Sequence, residues 1–308
     1  PTAGEVGRAT RIDDALGRYI VFCKNTFPYD LTLEGMKLVI DCANGATYKV
    51  APIILSELGA DVIAIHNKPD GKNINHNCGS QHTQDLSRTV LDERADVGLA
   101  FDGDGDRLIV VDEKGQEVNG DQIIGICAKF MKDQNMLPGS HVILTPMSNI
   151  GLRLALEREG ISHEDAKVGD RNVLELMRQK GVALGGESSG HIIFHDHHRT
   201  GDGLISALQL LAIMQTTGKS ITELASFVEM APQELLNVKV KTKPPIGDIP
   251  GLQAEIDAAE AELGREGRLL VRYSGTESIC RVMVEAADEE LVSRWSGRLA
   301  KLIKTAIG

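Results

Sequence analysis

Apolar positions along the chain follow two rhythms, a helical one and a strand-like one, and they alternate. Residues 12–27 carry Ile12, Leu16, Tyr19, Ile20 and Cys23 at helical spacing. KLVIDCAN at 37–44 is a continuous apolar run that ends in turn residues, as a buried strand does. YKVAPIILSELG reads as a helix closed by Gly59 at its C-terminal cap. DVIAIHN follows as a strand, QDLSRTVLDERA as a helix and DVGLAFD as a third strand, and RLIVVDEKGQEV returns as a hairpin. This alternation predicts a layered α/β unit.

The pattern then starts again. GDQIIGICAKFMKDQ is a helix, HVILTPMSN a strand with a polar turn, and LRLALEREG a helix closed by Gly160. VALGGESSGHIIF is strand, Gly-rich loop, strand, in the same order as LAFDGDGDRLIVV. The prolines of KVKTKPPIGDIPG mark a break, after which GLQAEIDAAEAELG, GRLLVRYSGTESICRVMVEA and DEELVSRWSGRLAKLIKTAI read as helix, hairpin and helix. The expected class is therefore α/β: two related α/β domains with mixed sheets, then a small α+β C-terminal domain with an antiparallel sheet. Expected boundaries are 1–118 for the domain with the first polar loop, 119–233 for the second and 234–308 for the third.

The loop at 102–107 carries the clearest chemistry. Asp102, Asp104 and Asp106 alternate with Gly103 and Gly105 between two apolar strands. Three carboxylates at that spacing repel one another unless a cation lies among them, and hard oxygen ligands suit Mg²⁺ or Ca²⁺. Three rival readings apply. An Asp-Gly turn joins many hairpins, but a third carboxylate exceeds what a turn needs. An EF-hand has Gly at its sixth position and helical flanks, whereas this chain has Arg107 there and Val, Ile and Leu on either side. A phosphatase with an Asp nucleophile at a strand end resembles LAFDGDGD locally, but Thr or Val would replace Asp106.

Charge and composition narrow the partners. The 308 residues carry a net charge of −11, with 42% hydrophobic and 4% aromatic residues, and no basic stripe. A nucleic-acid partner is not expected, and an anionic ligand would need local cations. No run of 18 apolar residues suggests a membrane span. Cys23, Cys42, Cys78, Cys127 and Cys280 are widely spaced without a CxxC motif, which suits a reduced, cytoplasmic protein without a thiolate metal site.

Cations and hydroxyls gather in the remaining loops. In RYSGTES at 272–278, Arg272 ends a strand and Arg281 opens the return strand, with Ser274, Gly275 and Thr276 between them. Two guanidiniums, two hydroxyls and a Gly turn suit a phosphate, although a solvated polar hairpin would look the same. In GGESSGH at 185–191, Glu187 and Ser189 could hold vicinal sugar hydroxyls, or the stretch is a plain Gly-rich turn. AKVGDRNV at 166–173 sets Lys167 and Arg171 before a helix, with Asp170 or Asn172 as its cap. His195, His197 and His198 lack helical i, i+4 spacing and read as a polar loop rather than a metal site.

Taken in order, DGDGDR at 102–107, KVGDR at 167–171, GESSGH at 186–191, TGDG at 200–203 and RYSGTES at 272–278 resemble the α-D-phosphohexomutases over essentially the whole chain. DCANGATYKVAP and DGKNINHNCGS resemble the bacterial phosphoglucosamine-mutase branch. The resemblance implies an isomerase that moves a phosphoryl group between O6 and O1 of an amino sugar through a 1,6-bisphosphate. Asp102, Asp104 and Asp106 would hold Mg²⁺ against an enzyme phosphoserine, with Arg107 beside the transferring group. Glu187, Ser189 and Arg171 would bind the sugar phosphate, and Lys167 and His191 would give acid–base support. Arg272, Ser274, Gly275, Thr276 and Arg281 would grip the phosphate that does not react. Glucosamine 1,6-bisphosphate or glucose 1,6-bisphosphate would be the activator.

Two features depart from the pattern. The family's Ser-His-Asn loop, which carries the phosphoserine on an N-terminal domain, does not occur in these residues, and Ser278 stands where many members have Pro. The expectation is thus the second, third and fourth domains of such an enzyme, inactive without the first. A phosphomannomutase or phosphoglucomutase specificity, a non-catalytic phosphosugar-binding fragment and a homodimer all stay open at this point.

Overall fold

The computed structural model describes residues 12–275 and 277–308. The first run of elements is α1 (Ala15–Lys24), β1 (Lys37–Asp41), α2 (Val50–Glu57), β2 (Asp61–Ile65), α3 (Gln84–Glu93), β3 (Val97–Phe101), β4 (Leu108–Val111) and β5 (Glu117–Val118). The second is α4 (Gly120–Asp133), β6 (His141–Leu144), α5 (Ile150–Arg158), β7 (Ser162–Asp165), α6 (Asp170–Lys180), β8 (Leu184–Gly186), β9 (Ile192–Phe194), α7 (Gly203–Thr217) and α8 (Ile221–Ala225). The third is β10 (Gln233–Lys239), α9 (Leu252–Leu263), β11 (Arg268–Tyr273), β12 (Ile279–Glu285) and α10 (Glu289–Ile307).

The internal repeat is real. The first sheet has the order β2-β1-β3-β4-β5 and the second β7-β6-β8-β9, so corresponding strands occupy corresponding places. β1 runs parallel to β3 as β6 does to β8, and in both sheets the last hairpin turns antiparallel. Even the helix ends match. Gly59 and Gly160 both have positive φ, and both follow a helix whose last carbonyls take the next two amides. Ala60 N–H bonds Leu55 O and Gly59 N–H bonds Ser56 O, as Ile161 bonds Leu156 and Gly160 bonds Glu157. The third sheet, β10-β12-β11, is wholly antiparallel.

By packing, the chain divides into two compact units: the residues up to Pro146 with Glu164–Phe227, and Met147–His163 with Val228–Gly308. In the first unit Val39, Leu86, Val90, Ala100, Ile109 and Val111 bury one face of the first sheet. In the second sheet Ile143, Val173, Met177 and Ile193 do the same. In the second unit the antiparallel sheet packs on α9 and α10 through Leu252, Val282, Val284, Trp295 and Leu299. No helix among the described residues is long and apolar enough to cross a membrane.

Two local expectations need correction. Neither Asp170 nor Asn172 caps α6: its N-cap is Gly169, no side chain accepts there, and Asn172 Nδ2 instead donates to Val168 O. The strand β7 and the helix α7 also lie outside the elements that the sequence pattern marks.

Candidate functional site

Phe101 and Leu108 form the last pair between β3 and β4, so residues 102–107 are a loop standing clear of the sheet at a strand end. Such ends are where open α/β sheets present ligands. Inside the loop Asp102 Oδ1 accepts N–H groups from Gly105 and Arg107, both at 3.1 Å, which folds the chain back on itself. Gly105, with φ of +80°, permits that fold. The three carboxylates each offer one oxygen within 4.8 Å of the others. Burial and the proximity of Asp104 and Asp106 push the Asp102 carboxyl up to about 7. Arg107 Nε lies 3.9 Å from Asp102 Oδ2 and 3.8 Å from Asp106 Oδ1, beyond hydrogen-bond reach. Asp106 Oδ1 is buried and has no hydrogen-bond partner among the described residues. A convergent, all-oxygen donor set with one orphaned oxygen fits a hard divalent cation.

The other loops of this unit close around that one. Leu108 N–H bonds Gly190 O at 3.1 Å, which seats the GESSGH loop on the start of β4. Glu187 Oε1 accepts Gly169 N–H at 2.9 Å and so ties the KVGD turn to the same loop. Lys167 and Arg171, on either side of that turn, are exposed, as is Ser189. His191 is buried. Its Nδ1 lies 3.1 Å from Asp106 Oδ2, and its Nε2 accepts Gly201 N–H at 3.2 Å. Both ring nitrogens are therefore within hydrogen-bond distance of a neighbour. Gly203 N–H bonds Gly105 O at 2.9 Å, which sets the start of α7 against the metal loop.

Sequence reasoning missed the support beneath the loop. Ala46 N–H bonds Gly103 O at 2.8 Å, so the DCANGA turn buttresses it from behind. The fully buried Asp41 holds that turn, accepting from Ala43 N–H, Gly79 N–H and His66 Nδ1. Asp41, His66 and Cys78 also lie close enough to share an ion. Asp41 already accepts three hydrogen bonds, and burial pushes the Cys78 thiol up, so the cluster reads as a structural clasp. A cue was present in the buried-strand Asp of KLVIDCAN, but its partners are remote in sequence. A depression of about 1220 Å³ in the first unit is lined by Phe27, Phe130, Met131 and Phe194 and by none of these loop residues.

In the second unit Arg272 and Arg281 are directly opposed across the β11–β12 ladder. Arg281 Nε is buried and has no hydrogen-bond partner among the described residues, while its Nη2 lies 3.5 Å from Glu277 Oε2; Lys243 Nζ donates to Ser274 O at 2.7 Å, adding a third cation that sequence spacing did not indicate. The turn itself uses part of its polar capacity. Ser274 N–H bonds Ile279 O, and Ser274 Oγ accepts Glu277 N–H. Gly275 is exposed. Thr276 lies outside the described residues. Like charges facing each other in a ladder are unfavourable unless an anion joins them.

Comparison with known proteins agrees with the loops. Models of the phosphoglucomutase/phosphomannomutase family match residues 18–115 (alpha/beta/alpha domain II), 119–230 (alpha/beta/alpha domain III) and 235–302 (C-terminal domain). The phosphoglucosamine mutase of Syntrophobacter fumaroxidans is 53% identical over 308 residues, which is all of this chain and 69% of that protein. That of Syntrophus aciditrophicus is 52% identical over the same span and share. The N-acetylphosphoglucosamine mutase of Aspergillus fumigatus, solved with GlcNAc-6P and magnesium, has the same fold, with a TM-score of 0.75 at 20% identity. The likeness covers 94% of this chain and 65% of that one, just under two thirds of it. By these matches and its ordered loops, the chain belongs to the phosphoglucomutase/phosphomannomutase family, among relatives that are phosphoglucosamine mutases.

Proposed function

We propose that this chain carries the metal, sugar and phosphate loops of a phosphoglucosamine mutase, which interconverts glucosamine 6-phosphate and glucosamine 1-phosphate. The observation that carries the reading is the loop at 102–107, whose three converging carboxylates include an orphaned oxygen and stand beside Arg107. Asp102, Asp104 and Asp106 would hold Mg²⁺, which when bound neutralises charge on phosphoryl oxygens. Arg107, whose Nε makes no hydrogen bond among the described residues, supplies a second positive group to the same oxygens. Glu187 spends one oxygen on Gly169 and keeps the other for a sugar hydroxyl, with the exposed Ser189 beside it. Lys167 is the candidate for proton transfer, and Arg171 for an anionic substrate. Arg272, Ser274, Gly275, Thr276 and Arg281 would hold a phosphate group, now joined by Lys243.

A substrate that presents either end to the metal needs contacts that do not depend on its orientation. A clamp for any phosphate and a loop for paired hydroxyls meet that need. Glucosamine 1,6-bisphosphate or glucose 1,6-bisphosphate would serve as the intermediate. The residues given contain no Ser-His-Asn loop to carry a phosphoserine. We therefore assign this stretch binding without turnover, and the activity to the enzyme with its N-terminal domain. The free, buried thiols suit a cytoplasmic location within the same proposal.

The test is a coupled assay on the purified 308-residue chain, with Mg²⁺, glucosamine 6-phosphate and the bisphosphate. No turnover is expected from it alone, and turnover is expected once a phosphorylated N-terminal domain from a relative is supplied. Turnover by the chain alone would refute the assignment of the phosphoryl carrier to the other domain.

A further inference from the structure

The TGDG turn at 200–203 has no role in the reading so far, yet α1 grips it from outside. The Tyr19 hydroxyl of α1 donates to Asp202 Oδ2 at 2.9 Å. Phe22 meets the His198 ring edge-on, with 5.2 Å between ring centres. Just past the helix, Thr26 O accepts Gln209 Nε2 of α7 at 2.9 Å. Asp202 itself is buried and divides its oxygens between two elements. Its Oδ1 accepts the N–H groups of Leu204 and Ile205, both at 3.0 Å, and so caps α7. Its Oδ2 takes the Tyr19 hydroxyl, while His198 Nδ1 stands off at 3.7 Å. Burial and the adjacent Asp202 raise the Tyr19 phenol, so it stays a donor.

The capped end of α7 is in turn fastened to the metal loop. Gly203 N–H donates to Gly105 O at 2.9 Å. A Cβ added at Gly203 would stand 2.4 Å from Arg107 O and 3.1 Å from Gly105 O. Backbone meets backbone there, with no flexible side chain to absorb a shift. Tyr19 and Asp202 also share the wall of one depression, about 310 Å³, with Thr47, Asp104 and Asp106. We propose that Tyr19 is a positioning residue for the metal loop. Its hydroxyl fixes Asp202, Asp202 fixes the first turn of α7, and Gly203 holds the loop at Gly105 so that the three carboxylates stay converged. This rests on the metal reading of the loop above. Without the hydroxyl, Oδ2 is a buried carboxylate oxygen with no hydrogen-bond donor among the described residues, and the cap slackens as the carboxylate turns toward other partners. A ligand set is only as well placed as the contacts that support it.

Two measurements on the 308-residue chain test it. Mn²⁺ binding followed by electron paramagnetic resonance should weaken about three- to tenfold in Tyr19→Phe, the worth of one hydrogen bond. In ¹H–¹⁵N spectra of the metal-free protein, the amide signals of Gly103 and Gly105 should move in Tyr19→Phe. Both readings should match the parent in Thr89→Val, which removes a hydroxyl bonded to Asp85 O in α3 and so loses one hydrogen bond away from the site. A merely structural Tyr19 would lower the melting temperature, as Thr89→Val does, and leave the Gly103 and Gly105 signals in place, which would overturn the proposal. So would a Tyr19→Phe chain that binds Mn²⁺ like the parent while Asp104→Asn abolishes binding. Failure of the parent to bind Mn²⁺ would instead refute the metal reading, and the two glycine signals would still decide whether Tyr19 sets the loop.

Discussion

Gly45→Ala tests how closely the metal loop is held from behind. At φ −115° and ψ −154° Gly45 sits in extended backbone that any residue adopts, so the substitution adds a methyl group without conformational strain. That methyl carbon would lie 2.1 Å from Gly103 O and 2.6 Å from Gly103 Cα, against ordinary contact at 3.4 Å. The two turns must part by about 1.3 Å, since neither atom belongs to a flexible side chain. The Ala46–Gly103 hydrogen bond cannot survive that shift. Overpacking costs about 1–3 kcal/mol and the lost bond about 1 kcal/mol more. The sum corresponds to a fall in melting temperature on the order of 5–15 °C. Displacement of the loop by more than 1 Å should also weaken Mn²⁺ binding about tenfold or more. Thermal denaturation by circular dichroism and Mn²⁺ resonance measure the two effects, with Gly17→Ala, whose added methyl meets none of the described residues within 4 Å, as control. An unchanged melt with unchanged Mn²⁺ affinity in Gly45→Ala would refute the buttress.

Three further outcomes follow from the same structure. Inorganic phosphate should raise the melting temperature of the parent chain, and Arg281→Ala, which removes one of the opposed guanidiniums, should abolish that shift in differential scanning calorimetry. Gly297→Ala, exposed in the interior of α10 with none of the described residues within 4 Å of the added methyl, should stabilise the chain by about 0.5–1 kcal/mol in urea titration. Burial pushes the thiols of Cys23, Cys42 and Cys127 up to about 12, against 9.0 for an exposed thiol. The native state keeps these protons where the unfolded chain releases them. Stability is therefore fully present below about pH 9 and falls as pH rises toward about 12, by about 1.4 kcal/mol per pH unit for each thiol. Urea midpoints at pH 8 and pH 10 check the sign, and a higher midpoint at pH 10 would contradict it.

The parts of this fold that could be read in advance were those with local causes. The matched glycines at 59 and 160, the strand-end loops and the Arg272–Arg281 opposition all follow from short-range spacing. The helix α7 did not declare itself because apolar residues surround it, leaving no polar side to reveal its period. The strand β7, SHED, is polar and short, and only its pairing makes it a strand. At the site, the carboxylates were legible because their chemistry is contiguous. The buttress of Gly45 on Gly103, the clasp at Asp41 and the seat of His191 on Gly201 join residues distant in the chain. Glycine gave them away only as an allowed close approach, and a sequence cannot show what approaches.

The most direct measurement is isothermal titration calorimetry of glucosamine 6-phosphate into the chain with Mg²⁺ present. Saturable one-to-one binding that is lost in Arg281→Ala and weakened without Mg²⁺ is the expected result. Absence of binding by the parent chain, or binding unchanged in both arms, would contradict the assignment of these loops to a metal-assisted phosphosugar site.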